Sequence, residues 1–357
     1  MMTTTRTSTS HVPITRHGIV LEKTKLEFEN EGVFNPACIR VGDQVRMFYR
    51  AVRTGNHSTI GACTFNGPLE LVSRDQAPVL TPQTSHGSQG IEDPRITRID
   101  DTYYLTFSVY DGTNVMGTYA TSKDLRSFSP VEPFTPRITY GEYKKLVERC
   151  PNYNEKYLFH YKVMKEHGLS EELENKLMLW DKNLTFFPRK FDGKFALLHR
   201  LHPGIQIVYF NDTKELTRRF WEEYIMTLNE HIVMDPQLAH ESSHIGGGAP
   251  PIETEDGWLI IYHAAEDTPQ GFVYHACAAL LDRDDPRKVL ARLDHPLISP
   301  KDDMERVGMV KNIVFPSGAV VFDNELYIYY GGADERIAVA SVKMPDLLHR
   351  LRTLSRN

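Results

Sequence analysis

Gln44–Ala51 reads QVRMFYRA, and four later stretches repeat its pattern: TYYLTFSV at Thr102–Val109, KFALLHRL at Lys194–Leu201, GWLIIYHA at Gly257–Ala264 and ELYIYYGG at Glu325–Gly332. Each is a β-branched and aromatic run opened by a short polar turn, at Gly42, Asp100, Asp192, Glu255 and Asp323. That combination predicts a strand leaving a tight connection. Each is answered downstream by a second β-like segment: STIGACTF from Ser58, VMGTYATS from Val115, GIQIVYF from Gly204, FVYHACAALL from Phe272 and RIAVASV from Arg336. Upstream of each turn a further short strand carries proline in its approach, at Pro36, Pro94, Pro188, Pro250 with Pro251, and Pro316. Five units of three or four short strands predict an all-β, five-bladed propeller over residues 1–357. A β-sandwich is the alternative that repeated hairpins alone would allow.

The units are unevenly spaced, so insertions must decorate some connections. Two have helical character, near residues 141–180 and 212–231. In the second, Leu216, Phe220, Tyr224 and Leu228 recur every four residues, with Asp212 as candidate N-cap and Glu215 completing a capping box. MPDLLHRLRTL from Met344 predicts a short closing helix.

A formal net charge of -6 argues against binding to nucleic acid or to an anionic membrane, both of which need concentrated Lys and Arg. The Thr-rich start MMTTTRTSTSHVPITRHGIVLEK has no apolar core and does not read as a leader, and no stretch is long enough to span a bilayer. Cys38, Cys63, Cys150 and Cys277 are scattered, which suggests buried thiols and a cytoplasmic setting. No H-E-x-x-H, P-loop or nucleophile-elbow motif is present, so neither a metal nor another cofactor is expected.

The densest polar cluster is GIEDPRIT, where Glu92, Asp93 and Arg95 crowd one strand entry. Neighbouring carboxylates repel, which tends to raise one pKa and supply a general acid, while Arg95 opposes that shift. An Asp-Pro turn with a salt bridge would account for the same residues without chemistry. Other polar groups recur beside strand ends: Asn35, Arg50, Arg53, His199, Arg200, His263, Glu266, Asp267, Tyr274 and Asp334. In a propeller such positions converge on the axis, as a sugar pocket requires, with Phe34 or Tyr110 available to stack on a ring. SHIGGGAPP from Ser243 precedes a strand rather than a helix, and reads as a close backbone approach at the pocket wall.

The phrases IEDPRIT, FFPRKFDGKFALLHR, GGGAPPIETEDGWLIIYH, ACAALLDRDDPRKVLAR and NIVFPSGAVVFDNELYIYYGGAD, in that order, resemble glycoside hydrolase family 130, the β-mannoside phosphorylases and β-mannosidases. The resemblance runs from about Asn35 to Asp334. It implies a five-bladed propeller, β-mannoside oligosaccharides as substrates, and inverting single displacement with Asp93 as proton donor. It also implies Asn35, Arg53 and Asp334 as mannose ligands; the polar cluster and the strand-end positions add Arg50, Glu92, Arg95, His199 and Arg200 as candidate substrate-binding residues.

Phosphorolysis would use inorganic phosphate as co-substrate, held by two Arg, a Lys and a Tyr. This chain offers Lys182, Arg200, His244 and Tyr274 by position. Exchanging Arg for Lys loses a bidentate fork, and exchanging Lys for His leaves a largely neutral group, so weakened phosphate binding and hydrolysis of β-1,2-mannosides are expected. A hydrolase needs a carboxylate to activate water. Glu222, Glu223, Glu241 and Glu266 are candidates, with Glu223 and Glu266 preferred; homo-oligomer formation is open.

Overall fold

The computed structural model describes residues 11–82, 85–166 and 168–355; residues 1–10, part of the stretch read against a leader, lie outside the described residues. Every repeated phrase forms the second strand of a four-stranded antiparallel unit. The first unit comprises Gly32–Val41, Gln44–Arg53, His57–Asn66 and Glu70–Arg74, and the second Gly90–Ile99, Thr102–Tyr110, Val115–Ser122 and Ser129–Pro130. A lone parallel pairing, Ser58 with Gly90, joins these two. The third is Asp181–Phe186, Phe195–Leu201, Ile205–Phe210 and Ile232–Met234. The fourth is His244–Gly247, Gly257–Thr268, Gly271–Leu281 and Val289–Arg292, with Ile252–Thr254 as an extra partner.

The fifth unit runs Val314–Phe322, Glu325–Gly332 and Arg336–Lys343, and its outermost strand is Thr15–Leu21 from the other end of the chain. First strands of the first four units pack in succession, and Val314–Phe322 touches the first strand of the first unit and the strands Gly257–Thr268 and Gly271–Leu281 of the fourth, so the ring closes. The protein is a five-bladed β-propeller, as the recurrence predicts. No described helix is long and apolar enough to cross a membrane.

The sixth residue of the repeated phrase explains part of the ring's rigidity. Tyr49 donates its hydroxyl proton to Glu29, Tyr262 to Glu241 and Tyr330 to Glu305. Each of these carboxylates is fully buried and also meets an arginine from the outermost strand of its own blade: Arg74, Arg292 and Arg16 respectively. Glu241 and Glu305 further accept backbone N–H groups of Gln237 and Leu238, and of Lys301 and Asp302. Thus a Glu–Tyr–Arg staple ties the entry loop, second strand and outer edge in three blades, with its charges paired as burial demands. In the third blade the same position is His199, and in the second it is Phe107.

Three local expectations are corrected. Pro36, Pro94 and Pro316 lie inside first strands, whereas Pro188 and Pro250 follow theirs. Asp212 caps only the turn Thr213–Glu215, and the helix proper, Arg218–Met226, starts under Thr217, whose side chain accepts from the Phe220 N–H. Cys150 is half-buried, unlike the buried Cys38, Cys63 and Cys277. The first insertion forms the helices Tyr140–Val147, Glu155–Glu166 and Glu171–Glu174, and Met344–Leu354 forms the closing helix.

Candidate active site

Three first strands break register at equivalent places, between Phe34 and Ala37, Glu92 and Arg95, and Lys182 and Thr185. Asn35, Asp93 and Asn183 sit at these breaks with φ of 50°, 53° and 57°. Asn and Asp tolerate this left-handed backbone best among residues bearing a Cβ, and a bulge re-aims the side chain out of the alternating pattern. The three side chains therefore face the axis. Pro36 and Pro94 follow two of them, where the missing N–H costs no ladder bond.

They open into a cavity of about 740 Å³, to which every blade contributes. Asn35 and Arg50 come from the first, Glu92 and Asp93 from the second, Lys182, Asn183 and Arg200 from the third, Phe272 and Tyr274 from the fourth, and Phe315 and Asp334 from the fifth. Asn35 Nδ2 donates to Asp93 Oδ1 at 2.8 Å, Arg50 Nη2 to Glu92 Oε1 at 2.7 Å, and Lys182 Nζ lies 3.4 Å from Glu92 Oε2. Arg50 Nη1 is 3.7 Å from Asp93 Oδ1. Asn35 Oδ1, Asn183 Oδ1, Arg50 Nε and Arg200 Nε are buried without a hydrogen-bond partner within the protein. These atoms are sealed from the cavity, Asn35 Oδ1 against Gly331 and Asn183 Oδ1 against Gly246, so the ligand meets the exposed parts of these side chains instead.

The electrostatics differ from the sequence expectation. Burial works to raise the Asp93 pKa, but Arg50, Arg95, Lys182 and the Asn35 amide outweigh it and hold the carboxyl below its usual range. The raised acid is Asp334: burial, opposed by Arg50 and assisted by Asp93 and Glu92, pushes it up to about 6. The native state therefore holds this proton where the unfolded chain has released it, and stability falls as pH rises from about 4 through about 6. Asp334→Asn is expected to raise neutral-pH stability by at most about 3 kcal/mol, since Asp334 stays partly exposed, and to lose that advantage near pH 4. Chemical denaturation at both pH values checks this; a variant less stable at neutral pH would refute it.

Several proposed ligands lie elsewhere. Arg53 is exposed beside Glu27 at 3.3 Å and does not line the cavity. Arg95 is buried beneath it, donating to backbone carbonyls of Asp93, Pro94, Gly247 and Gly248, so it staples the second blade to the fourth. His199 is a core group, between Asp181 at 2.9 Å and the Tyr224 hydroxyl at 2.7 Å. His244 lies outside the lining, with its Nε2 3.5 Å from the Tyr274 hydroxyl.

No carboxylate proposed as water-activating base reaches the cavity. Glu222 and Glu223 form helix-surface pairs with Arg218 and Arg219. Glu241 belongs to a staple, and Glu266 pairs with His275 at 3.2 Å. The helix carrying Glu223 buries Trp221, Tyr224 and Ile225, which turns its glutamates outward. Tyr110 is likewise outside the lining, and Phe34 lies 5.1 Å from the Arg50 guanidinium. Reasoning from sequence missed Asn183, Phe272, Phe315 and the segment Met309–Ile313; Asn183 carried a signal, since it repeats the bulge position of Asn35 and Asp93.

The family model described as beta-1,4-mannooligosaccharide phosphorylase, Glyco_hydro_130, matches residues 8–353. A 1,2-beta-oligomannan phosphorylase of Thermoanaerobacter sp. (strain X514) is 32% identical over 340 residues, covering 92% of this chain and 96% of the relative. A beta-1,2-mannobiose phosphorylase of the same organism is 31% identical over 330 residues, covering 89% and 92%. The solved structure of the Listeria innocua beta-1,2-mannobiose phosphorylase with beta-1,2-mannobiose has the same fold, with a TM-score of 0.70 at 23% identity over 95% of this chain and 99% of that one. A match spanning nearly the whole chain, on a propeller whose axial cavity gathers Asn35, Asp93 and Asp334, means that the protein belongs to glycoside hydrolase family 130, enzymes acting on β-mannosides.

Proposed function

We propose that the protein is a phosphorylase of β-1,2-linked mannosides. Arg200, Lys182 and Tyr274 line the same cavity as Asp93, while Glu222, Glu223, Glu241 and Glu266 do not, and this observation carries the reading. It replaces the expectation of hydrolysis, which rested on those glutamates and on a weakened phosphate set. The names of the relatives that cover most of the chain support it.

In this mechanism a phosphate oxygen attacks the anomeric carbon from the face opposite the leaving group. The glycosidic C–O bond breaks, its oxygen takes the Asp93 proton, and inversion yields α-mannose 1-phosphate and a mannoside shortened by one unit. Asp93 is held ionised by surrounding cations in the free protein. Phosphate bound against Arg200 and Lys182 would offset that positive charge and let Asp93 hold a proton.

With β-1,2-mannobiose, purified protein is expected to release mannose 1-phosphate only when inorganic phosphate is added. Mannose released at an equal rate without phosphate would overturn the proposal in favour of hydrolysis. Exchange of β-1,4-mannobiose for the β-1,2 isomer with no loss of rate would overturn the linkage assignment.

A further inference from the structure

We infer that His263 is a positioning residue for phosphate, holding Arg200 by accepting a hydrogen bond from its guanidinium at the imidazole Nε2. The inference rests on the phosphorylase reading. His263 is the seventh residue of the fourth blade's repeated phrase, as Arg50 and Arg200 are of the first and third, so the fold aims it at the axis. It does not reach the cavity lining; Arg200 stands in front of it, with Nη1 3.4 Å from His263 Nε2.

The chemistry of this contact fixes the roles. A guanidinium can only donate, so Nε2 acts as the acceptor and the neutral ring carries its proton on Nδ1, which has no hydrogen-bond partner of its own within the protein. A neutral ring is consistent with complete burial and with the neighbouring cations Arg200 and Arg95, which disfavour an imidazolium. The ring is also immobilised. Phe315 lies against it with centroids 4.5 Å apart at 30°, and Tyr274 and His244 flank it at 5.9 Å each. On the remaining side a Cβ at Gly246 would sit 2.4 Å from His263 Cε1, so only glycine admits the ring there. Arg200 thus lines the cavity with one terminal nitrogen tied down, so its guanidinium is oriented before any anion arrives.

His263→Phe keeps the ring and its stacking on Phe315 but removes the acceptor. It is expected to raise KM for inorganic phosphate about tenfold, leaving KM for mannobiose within about twofold. His263→Gln, which can still accept from Arg200, is expected to recover phosphate KM to within about threefold of wild type. In a folded variant, no change in phosphate KM, or equal rises in both KM values, would overturn the inference, because a purely structural role would not single out phosphate. If neither variant folds, ¹⁵N spectra of histidine-labelled wild type decide: a neutral Nδ1–H tautomer at His263 is expected, and a protonated Nε2 overturns it. Wild type that turns over without phosphate refutes the phosphorylase reading and this inference with it. Phosphate-dependent wild type with an unaltered His263→Phe phosphate KM refutes this inference alone.

Discussion

Asp93→Asn is expected to lower kcat on β-1,2-mannobiose by about 10²–10⁴-fold, the usual contribution of a positioned general acid. The exchange is nearly isosteric, and Arg50 keeps its 2.7 Å contact with Glu92, so the cavity should retain its shape. The loss should depend on the leaving group. An aryl β-mannoside whose phenol departs without protonation should be turned over with a much smaller deficit, because its departure no longer draws on the missing proton. Initial rates with both substrates, alongside a thermal melt of each protein, check this. A disaccharide rate within tenfold of wild type would remove Asp93 from the acid role.

Glu241→Leu is expected to destabilise the fold by about 3–5 kcal/mol, the largest structural effect of any substitution considered. The carboxylate is fully buried, takes the Tyr262 hydroxyl at 2.7 Å and Arg292 at 2.9 Å, and caps the backbone N–H groups of Gln237 and Leu238. Removing it strands a nearly buried guanidinium and several donors. Replacing Glu241, Tyr262 and Arg292 together with Leu, Phe and Met should recover most of the loss, since exchanging a whole buried ion cluster for apolar groups is often close to neutral. Urea unfolding of the single and triple variants makes the comparison. A single variant within 1 kcal/mol of wild type would deny the staple its role.

How much was readable beforehand follows from what each residue depends on. Strand periodicity survives in the repeated phrases, so the five blades, and the axial direction of Arg50 and Arg200 at one shared position, were legible without coordinates. The same logic failed for Arg53 and His199, which flank that position. A strand alternates its faces, so one residue earlier points His199 into the blade, and three residues later Arg53 has run out to solvent. Asn35 and Asp93 were legible for their residue types and adjoining prolines, whereas the bulge that aims them emerges only from strand register. Glu223 went astray because helical spacing identifies an apolar face but not what lies beneath it; Trp221, Tyr224 and Ile225 turned out to be the buried set. Met309–Ile313 reaches the cavity from a connection, whose path no periodicity describes, whereas Phe272 sits at the start of the strand Gly271–Leu281.

Pairing of Thr15–Leu21 with Arg336–Lys343 joins segments separated by roughly three hundred residues, and such a contact is slow to form because loop closure must precede its reward. Four blades can assemble from neighbours in the chain, but the fifth waits for a distant edge. Until that edge arrives, Arg336–Lys343 presents bare main-chain groups to other nascent molecules, a window for intermolecular pairing. Assistance from chaperones, or slow synthesis at low temperature, would then govern the yield of active material more strongly than the stability of the finished ring.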